Sequence, residues 1–179
     1  MITHEFVEDM LRLKRFPRTG WLRVGVRAPE SIADHSFAAA LLGWRIAREA
    51  GGLDAARVAL LLLVHDLAEA RLGDIMAPAK KLFPDAAIED VEREIVRAQW
   101  ADDAEGMALA LEFIDGTSAE AELARAVDNL EFLFEAASLV NGGLTGPREM
   151  LSRARQGLAW RHETTRPYVD EILRGLPDL

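Results

Sequence analysis

An unbroken apolar segment, Val58 to Val64, stands near the middle of the chain. Asp54 precedes it at a position where aspartate can cap a helix, and Gly73 follows where glycine can end one. A helix that is apolar on every side belongs in the interior of a protein, because no face of it suits water. We therefore predict a central helix that begins after Asp54 and closes near Gly73, with the remaining chain packed around it.

Helical patterns also cover most of the remaining chain, and no convincing alternating strand is present. Thr3 and Ser31 can each cap a helix, and Asp34 follows Ser31 at the spacing of a capping box. Pro167 is expected to break or kink the last segment, because proline removes a helix hydrogen bond. The prediction is an all-α fold in one domain spanning residues 1–179, with later helices over 86–101, 103–114, 118–140 and 147–174.

Composition excludes several classes of protein. The formal net charge of −9 disfavours broad binding to a nucleic acid polymer, although a local basic pocket can still hold a small anion. Because the chain has no cysteine, any metal must be held by histidine and carboxylate. The N-terminus lacks the pattern of a signal peptide, and the longest apolar run is too short to span a membrane. We expect a soluble protein of the cytoplasm with no membrane partner.

Three ionisable residues, His65, Asp66 and Glu69, interrupt the central helix pattern. At spacings of three and four residues, their side chains can point to one side of a helix. Buried ionisable groups need partners, and a cation is the simplest partner that all three share. The same three residues are also explained by a buried His-Asp pair whose hydrogen bonds are made within the protein, or by a solvent-exposed helix face. The metal interpretation and these alternatives stay open.

His35 and Asp128 add weight to the metal interpretation. His35 lies one turn into the preceding predicted helix, and Asp128 lies on a later one beside apolar neighbours. Together with His65 and Asp66 they make a mixed nitrogen and oxygen site that suits Mn, Fe, Co, Zn or Mg. With positions left open for water, such a metal can generate a hydroxide nucleophile and polarise a phosphoryl oxygen.

These residues resemble the H…HD…D signature of HD-domain phosphohydrolases, and the surrounding segments resemble the 5′-deoxynucleotidase subgroup. The supporting segments extend from near the N-terminus to the middle of the 118–140 helix. They are Leu13-Lys14-Arg15, Pro17-Arg18-Thr19-Gly20-Trp21, Pro29-Glu30-Ser31, Asp34-His35-Ser36, His65-Asp66-Leu67-Ala68-Glu69, Gly73-Asp74-Ile75 and Ser118-Ala119-Glu120-Ala121.

The resemblance implies an HD-type helical bundle, with a metal-site core at about 31–140 and C-terminal helices at about 147–174. It implies one divalent metal, Co, Mn, Mg, Zn or Fe, held by His35, His65, Asp66 and Asp128. The implied reaction is hydrolysis of a nucleoside 5′-monophosphate, most closely a deoxynucleotide, by a metal-activated water. Glu69 would orient or deprotonate that water, and Asp74 would support proton transfer to the leaving oxygen. The alternatives are a surface carboxylate at Glu69 and a turn residue at Asp74.

The connection from Phe16 to Glu30 is rich in arginine, and the resemblance places substrate contacts there. Arg18 matches the phosphate-contacting arginine, and its planar guanidinium suits that task. Trp21 either packs against the sugar or base of the substrate, or fills space at the edge of the hydrophobic core. Lys80 either adds positive charge near the phosphate or belongs to a solvated loop.

The partners implied are a small nucleotide and a second copy of the chain, with surface for a homodimer on the helices after residue 86. Two alternative functions stay open. One is an HD phosphohydrolase that acts on another small nucleotide or phosphate ester. The other is a non-catalytic helical module with a structural or sensory metal.

Overall fold

The computed structural model describes residues 1–84 and 86–176. Over these ranges the chain is helical, and extended pairing is limited to an isolated antiparallel bridge between Pro17 and Ser31. The predicted all-α class is therefore confirmed. The helices are α1 His4–Leu13, α2 Thr19–Arg23, α3 Ile32–Ala50, α4 Ala55–Val64, α5 Glu69–Leu72, α6 Ala77–Lys80, α7 Ala87–Gln99, α8 Ala104–Asp115, α9 Ala119–Asn141, α10 Arg148–Leu151, α11 Leu158–Arg161 and α12 Arg166–Arg174.

The predicted N-terminal caps are present. Thr3 accepts a hydrogen bond from the backbone of Phe6, and Asp54 accepts two from the first turn of α4. Ser31 and Asp34 form a complete capping box, in which each side chain accepts from the other residue's backbone N–H. The capping box fixes where α3 begins, and thereby places His35 in its first turn.

The predicted central helix is wrong over its second half. α4 ends at Val64, residues 65–68 form turns, and a separate short helix, α5, runs from Glu69 to Leu72. Gly73 ends α5 with a positive φ of 81°, a conformation that suits glycine. The backbone of His65 keeps helical angles, and the break lies in the turns that follow, where Leu67, Glu69 and Ala70 donate to the residues three positions earlier.

The predicted helix over 147–174 is also wrong as one element. It consists of α10, a 3-10 turn at Ala154–Gln156, α11 and α12. Gly157 has an extended backbone that separates the 3-10 turn from α11. Pro167 lies in the first turn of α12, where its missing N–H costs nothing, so the predicted break at this proline is confirmed.

α4 packs against both α3 and α9 in the centre of the larger core. Val58, Leu61 and Leu62 are fully buried there. Gly43 of α3 meets Leu62 so closely that a β-carbon would collide with it, which explains glycine inside this helix. None of the helices in the described ranges combines the length and apolar character needed to cross a bilayer.

Neighbouring leucines of α4 give a test of this packing. Leu61 is 0% exposed and Leu60 is 46% exposed. We expect Leu61→Ala to lower the free energy of unfolding by about 2–5 kcal/mol, because it leaves a cavity between helices. Leu60→Ala is the control and should lower it by less than about 1 kcal/mol. Equal losses in urea titrations of the two variants would contradict the assigned burial.

Candidate metal centre

His35 and His65 each direct the Nε2 atom of the ring toward the carboxylates of Asp66 and Asp128. The Nδ1 atom of His35 lies 2.5 Å from Oε2 of Glu131, and the Nδ1 atom of His65 lies 2.7 Å from the carbonyl oxygen of Leu62. An imidazole that donates its Nδ1 proton keeps a lone pair on Nε2. Both rings are buried, so each Nε2 atom is directed into the interior as a metal ligand would be.

Two carboxylates meet these nitrogens. Oδ2 of Asp66 lies 3.1 Å from Nε2 of His65 and 3.9 Å from Nε2 of His35. Oδ1 of Asp128, from the middle of α9, lies 3.0 Å from Nε2 of His35 and 3.8 Å from Nε2 of His65. One ligand atom from each of His35, His65 and Asp66 falls within 4.8 Å of the others. The structure thus brings together the four residues that sequence reasoning singled out.

These donors fit a divalent cation. Nε2 of His65 is buried and makes no hydrogen bond with the described part of the chain, although Asp66 lies near it. A buried nitrogen that lacks a hydrogen-bond partner destabilises a folded protein unless a further group binds it, and here the nitrogen lies between two carboxylates. A metal that accepts histidine nitrogen and carboxylate oxygen supplies that group.

The charges of the site stabilise one another. Burial acts to lower the pKa of His35, but hydrogen bonds with Asp128 and Glu131 raise it to about 9. Burial acts to raise the pKa of Asp66, but His65, followed by Arg18 and His35, lowers it to about 2. A cation that binds here therefore competes with protons for the imidazoles.

Arg18 reaches the site from the arginine-rich connection. Its Nη1 atom donates to Oδ2 of Asp66 at 3.1 Å. Its backbone N–H donates to the carbonyl of Glu30 at 3.0 Å, beside the bridge between Pro17 and Ser31. This pairing ties Arg18 to the start of α3. The short helix α2, which sequence reasoning did not predict, follows directly.

Glu69 lies on α5 with its side chain in the site. It is 8% exposed, and its Oε2 atom is buried without a hydrogen-bond partner in residues 1–84 and 86–176. Burial, and then the charges of Asp66 and Asp74, raise the pKa of Glu69 to about 9. The surface alternative for Glu69 is therefore wrong.

Asp74 holds α2 in place. Its Oδ2 atom accepts from the backbone N–H of Thr19 at 2.5 Å, and the Thr19 hydroxyl donates to the Asp74 carbonyl at 2.9 Å. This geometry agrees with the turn interpretation of Asp74. The residue also lines the cavity beside the site, so it lies within reach of a bound molecule.

Trp21 is nearly fully buried, at 1% exposed. Its ring stacks on Phe132 with centroids 4.6 Å apart, and its Nε1 donates to Oε1 of Glu30 at 2.9 Å. The burial agrees with the core-edge interpretation, since it leaves little of the ring for direct contact with a ligand. Lys80 is exposed and ends α6 at the rim of the site.

Two cavities open onto the cluster of ligands. One has a volume of about 440 Å³ and includes Arg18, and the other has a volume of about 580 Å³. Both volumes suit a small molecule. The residues that line both cavities are Asp66, Glu69, Lys80, Asp128 and Asn129.

Glu131 is the main site residue that sequence reasoning missed. It lies one helical turn after Asp128, so the two side chains share a face of α9. That spacing was the available signal, but an acidic residue on a helix is ordinarily solvated.

Comparison with known proteins places the chain in a family. A family model described as HD domain matches residues 10–145. The chain belongs to the HD domain family. The range that this HD domain model matches includes His35, His65, Asp66 and Asp128.

Two relatives of this HD domain have names that state an enzymatic activity. It is 26% identical over 179 residues to 5′-deoxynucleotidase hdd1 of Schizosaccharomyces pombe, covering 94% of this chain and 87% of that protein. It is 34% identical over 146 residues to 5′-deoxynucleotidase HDDC2 of Danio rerio, covering 74% of this chain and 66% of that protein. The match thus spans about two thirds of the length of the Danio protein.

A solved structure supports the same placement. The crystal structure of a predicted metal-dependent phosphohydrolase from Magnetospirillum magnetotacticum superposes with a TM-score of 0.65 at 27% identity. The superposition covers 95% of this chain and 93% of that one. The metal dependence named for that protein agrees with a divalent metal in the HD domain.

Glu131 gives a test of how this HD domain orients His35. We expect Glu131→Gln to weaken binding of Mn²⁺ about 10–100-fold, because a neutral amide orients the imidazole poorly and makes it less basic. Glu135→Gln, one turn further along α9, is the control and should leave the affinity unchanged. Calorimetric titration of the metal-free protein measures both, and matching affinities for the two variants would count against a role for Glu131.

Proposed function

We propose that this HD domain is a metal-dependent phosphomonoesterase that hydrolyses nucleoside 5′-monophosphates, deoxy forms foremost, to nucleoside and phosphate. The observation that carries the proposal is the convergence of two imidazole Nε2 atoms and two carboxylates beside Arg18, where a cavity of small-molecule size opens. The names of the Schizosaccharomyces and Danio relatives support the class of substrate.

The metal ligands in this proposal are His35, His65, Asp66 and Asp128. A divalent cation held there supplies Lewis-acid chemistry, lowering the pKa of water and polarising a phosphoryl oxygen. Arg18 is the proposed phosphate ligand. Its Nη1 atom donates to Asp66, and within the described residues its other guanidinium N–H groups make no hydrogen bond, which leaves them for phosphate oxygens.

Glu69 is the proposed acid–base residue. Its buried Oε2 atom has no hydrogen-bond partner among the residues that the structure describes, and Glu69 lines both cavities. A carboxylate placed in this way can orient an attacking water and accept its proton. Positive charge added beside Asp66 favours the ionised form of Glu69, as a base acting near neutral pH requires.

Asp74 is proposed to act near the leaving oxygen while it holds Thr19. The cavity that contains Arg18 passes Asp74 and continues along an apolar wall. That wall suits a sugar and a base, and it is formed in part by Ile75, Met76, Phe132 and Met150. In this arrangement Trp21, which also lines the cavity and stacks on Phe132, supports the wall, and Lys80 adds positive charge at the rim.

A second candidate substrate class is another small nucleotide or phosphate ester. Basic side chains beyond Arg18 favour it, because both cavities carry them. They are Arg23, Lys80 and Arg153 in the first cavity and Lys80, Lys81 and Arg125 in the second. Additional phosphate groups would find counter-charges there.

Release of phosphate from a panel of ribo- and deoxyribonucleoside monophosphates tests the proposal. Each substrate is assayed with Co²⁺, Mn²⁺, Mg²⁺ or Zn²⁺ and with a chelator as control. We expect metal-dependent turnover of deoxynucleoside monophosphates and none with the chelator. Turnover of di- or triphosphates alone would favour the second class, and no turnover of any monophosphate with any metal would refute the first.

We also propose a cytoplasmic homodimer without a nucleic acid partner. α3 exposes Phe37, Leu41 and Trp44 along one stripe, at spacings of four and three residues. Exposed apolar surface of this kind commonly marks a contact between proteins. Light scattering should give twice the chain mass of 19.8 kDa, and the mass of one chain at micromolar concentration would contradict the dimer.

A further inference from the structure

The segment between α4 and α5 carries three residues of the site but has no continuous helix to hold it. His65 and Asp66 lie in the turns that follow α4, and Glu69 begins α5. The positions of their side chains therefore depend on contacts that this segment makes with other parts of the chain.

Gln99, at the end of α7, provides one such contact. Its Nε2 atom donates to the carbonyl oxygen of Leu67 at 3.0 Å and to Oδ2 of Asp9 at 3.0 Å. Because both partners are acceptors, the amide must turn its nitrogen toward them. Gln99 thus connects the backbone of the turn to a side chain of α1.

Asp9 accepts hydrogen bonds from more than one helix in the interior of the protein. It is 1% exposed, and its Oδ2 atom also accepts from Nε of Arg71 at 2.6 Å. Arg71 lies on α5, two residues after Glu69. One carboxylate oxygen therefore accepts from Arg71, which follows the site residues on α5, and from Gln99, which is itself bonded to the turn at Leu67.

Beyond its bonds to Arg12, Arg71 and Gln99, Asp9 lies where α1, α5 and α7 pack through apolar side chains. A second hydrophobic cluster packs here, and it includes Leu13, Ile32, Leu67, Ala68, Ala70, Val96 and Trp100. A buried carboxylate is expensive in such surroundings, and apolar residues of similar volume can often replace a buried ion pair without loss of stability. Asp9 lines neither cavity of the metal centre, so any effect on that centre passes through Gln99 and Arg71.

We propose that Asp9 is a positioning residue for the metal centre, acting through Gln99 and Arg71 to set the turn that carries His65, Asp66 and Glu69. The effect on metal binding does not depend on the proposed substrate, whereas the effect on turnover rests on the proposed function.

Asp9→Asn tests the inference, because it keeps the shape of the side chain but replaces an acceptor with a donor. We expect the dissociation constant of Mn²⁺ to rise about tenfold, as for loss of an outer partner of a metal ligand. We expect kcat to fall about 10–100-fold with KM nearly constant, since small displacements of catalytic groups have large effects. The variant is assayed well below its melting temperature, with folding checked by circular dichroism.

Arg12→Ala is the matched control. Arg12 donates to the other oxygen of Asp9, Oδ1, from within α1, and its side chain is 46% exposed. This contact does not reach the turn, so we expect metal affinity and kcat to stay within about twofold of the parent. If Arg12→Ala matched Asp9→Asn in both properties, the proposed route through Gln99 and Arg71 would be wrong.

Gln99→Leu decides the question if Asp9→Asn does not fold. It removes the bond to Leu67 and leaves the pair between Asp9 and Arg71 in place, and we expect the same rise in the dissociation constant. A folded variant with the parent's metal affinity and kcat but a lower melting temperature would show a purely structural role and overturn the proposal. Altered metal affinity in a protein that hydrolyses no monophosphate would support positioning and refute the proposed function alone.

Discussion

Asp66→Ala is expected to abolish stoichiometric metal binding and, with it, phosphate release. The substitution removes a proposed ligand that lies 3.1 Å from Nε2 of His65 and also accepts from Arg18. We expect the metal dissociation constant to rise by more than about 100-fold, beyond the effect of losing an outer partner. Calorimetry and metal analysis of the dialysed protein measure this directly.

Loss of the metal should also appear in thermal stability. A ligand at 100 times its dissociation constant stabilises the folded state by about 2.7 kcal/mol, so Mn²⁺ should raise the melting temperature of the parent. Asp66→Ala should show no such rise. Asp115→Ala serves as the control, because Asp115 pairs with Arg93 at the surface of α8 and should leave the metal response unchanged. Normal metal affinity in Asp66→Ala would show that the ligand set is wrong.

Glu69→Gln is expected to separate metal binding from turnover. The amide keeps the size of the side chain but cannot accept a proton from water. We expect kcat to fall about 10²–10⁴-fold, the usual contribution of a general acid or base, while the metal content stays at the parent's level. Steady-state phosphate release and metal analysis on the same preparation give both values.

The control for Glu69→Gln is Glu94→Gln on α7, whose side chain is exposed to solvent. It changes the net charge equally, so it reports any effect of charge alone. We expect kcat within about twofold of the parent. Turnover at the parent's rate in Glu69→Gln would remove Glu69 from the reaction and leave proton transfer to another group.

The helices that position the site were predictable where local signals are strong. The capping box of Ser31 and Asp34 and the cap at Asp54 rest on neighbouring residues, and both are present. The break after Val64 was not predictable, because apolar residues continue at helical spacing through the turn. Leu67, Ala68 and Ala70 are buried there much as in a continuous helix.

The candidate site shows a similar division. The four proposed ligands and Arg18 stand out by residue type and by resemblance, and the fold brings them together. Glu131 and Asp9 do not stand out, since an isolated acid on an amphipathic helix is usually solvated. Their burial arises from packing between distant parts of the chain, α9 against α3 and α1 against α5 and α7, which no local pattern reports.

α9 places Asp128 and Glu131 against opposite nitrogens of the His35 ring. The rotation of that ring is therefore restricted when the chain folds, before any cation arrives. Ordering a free side chain during binding carries an entropic cost. Here that cost is part of the free energy of folding and does not reduce the free energy of binding. Metal affinity of this histidine should accordingly depend on the integrity of α9.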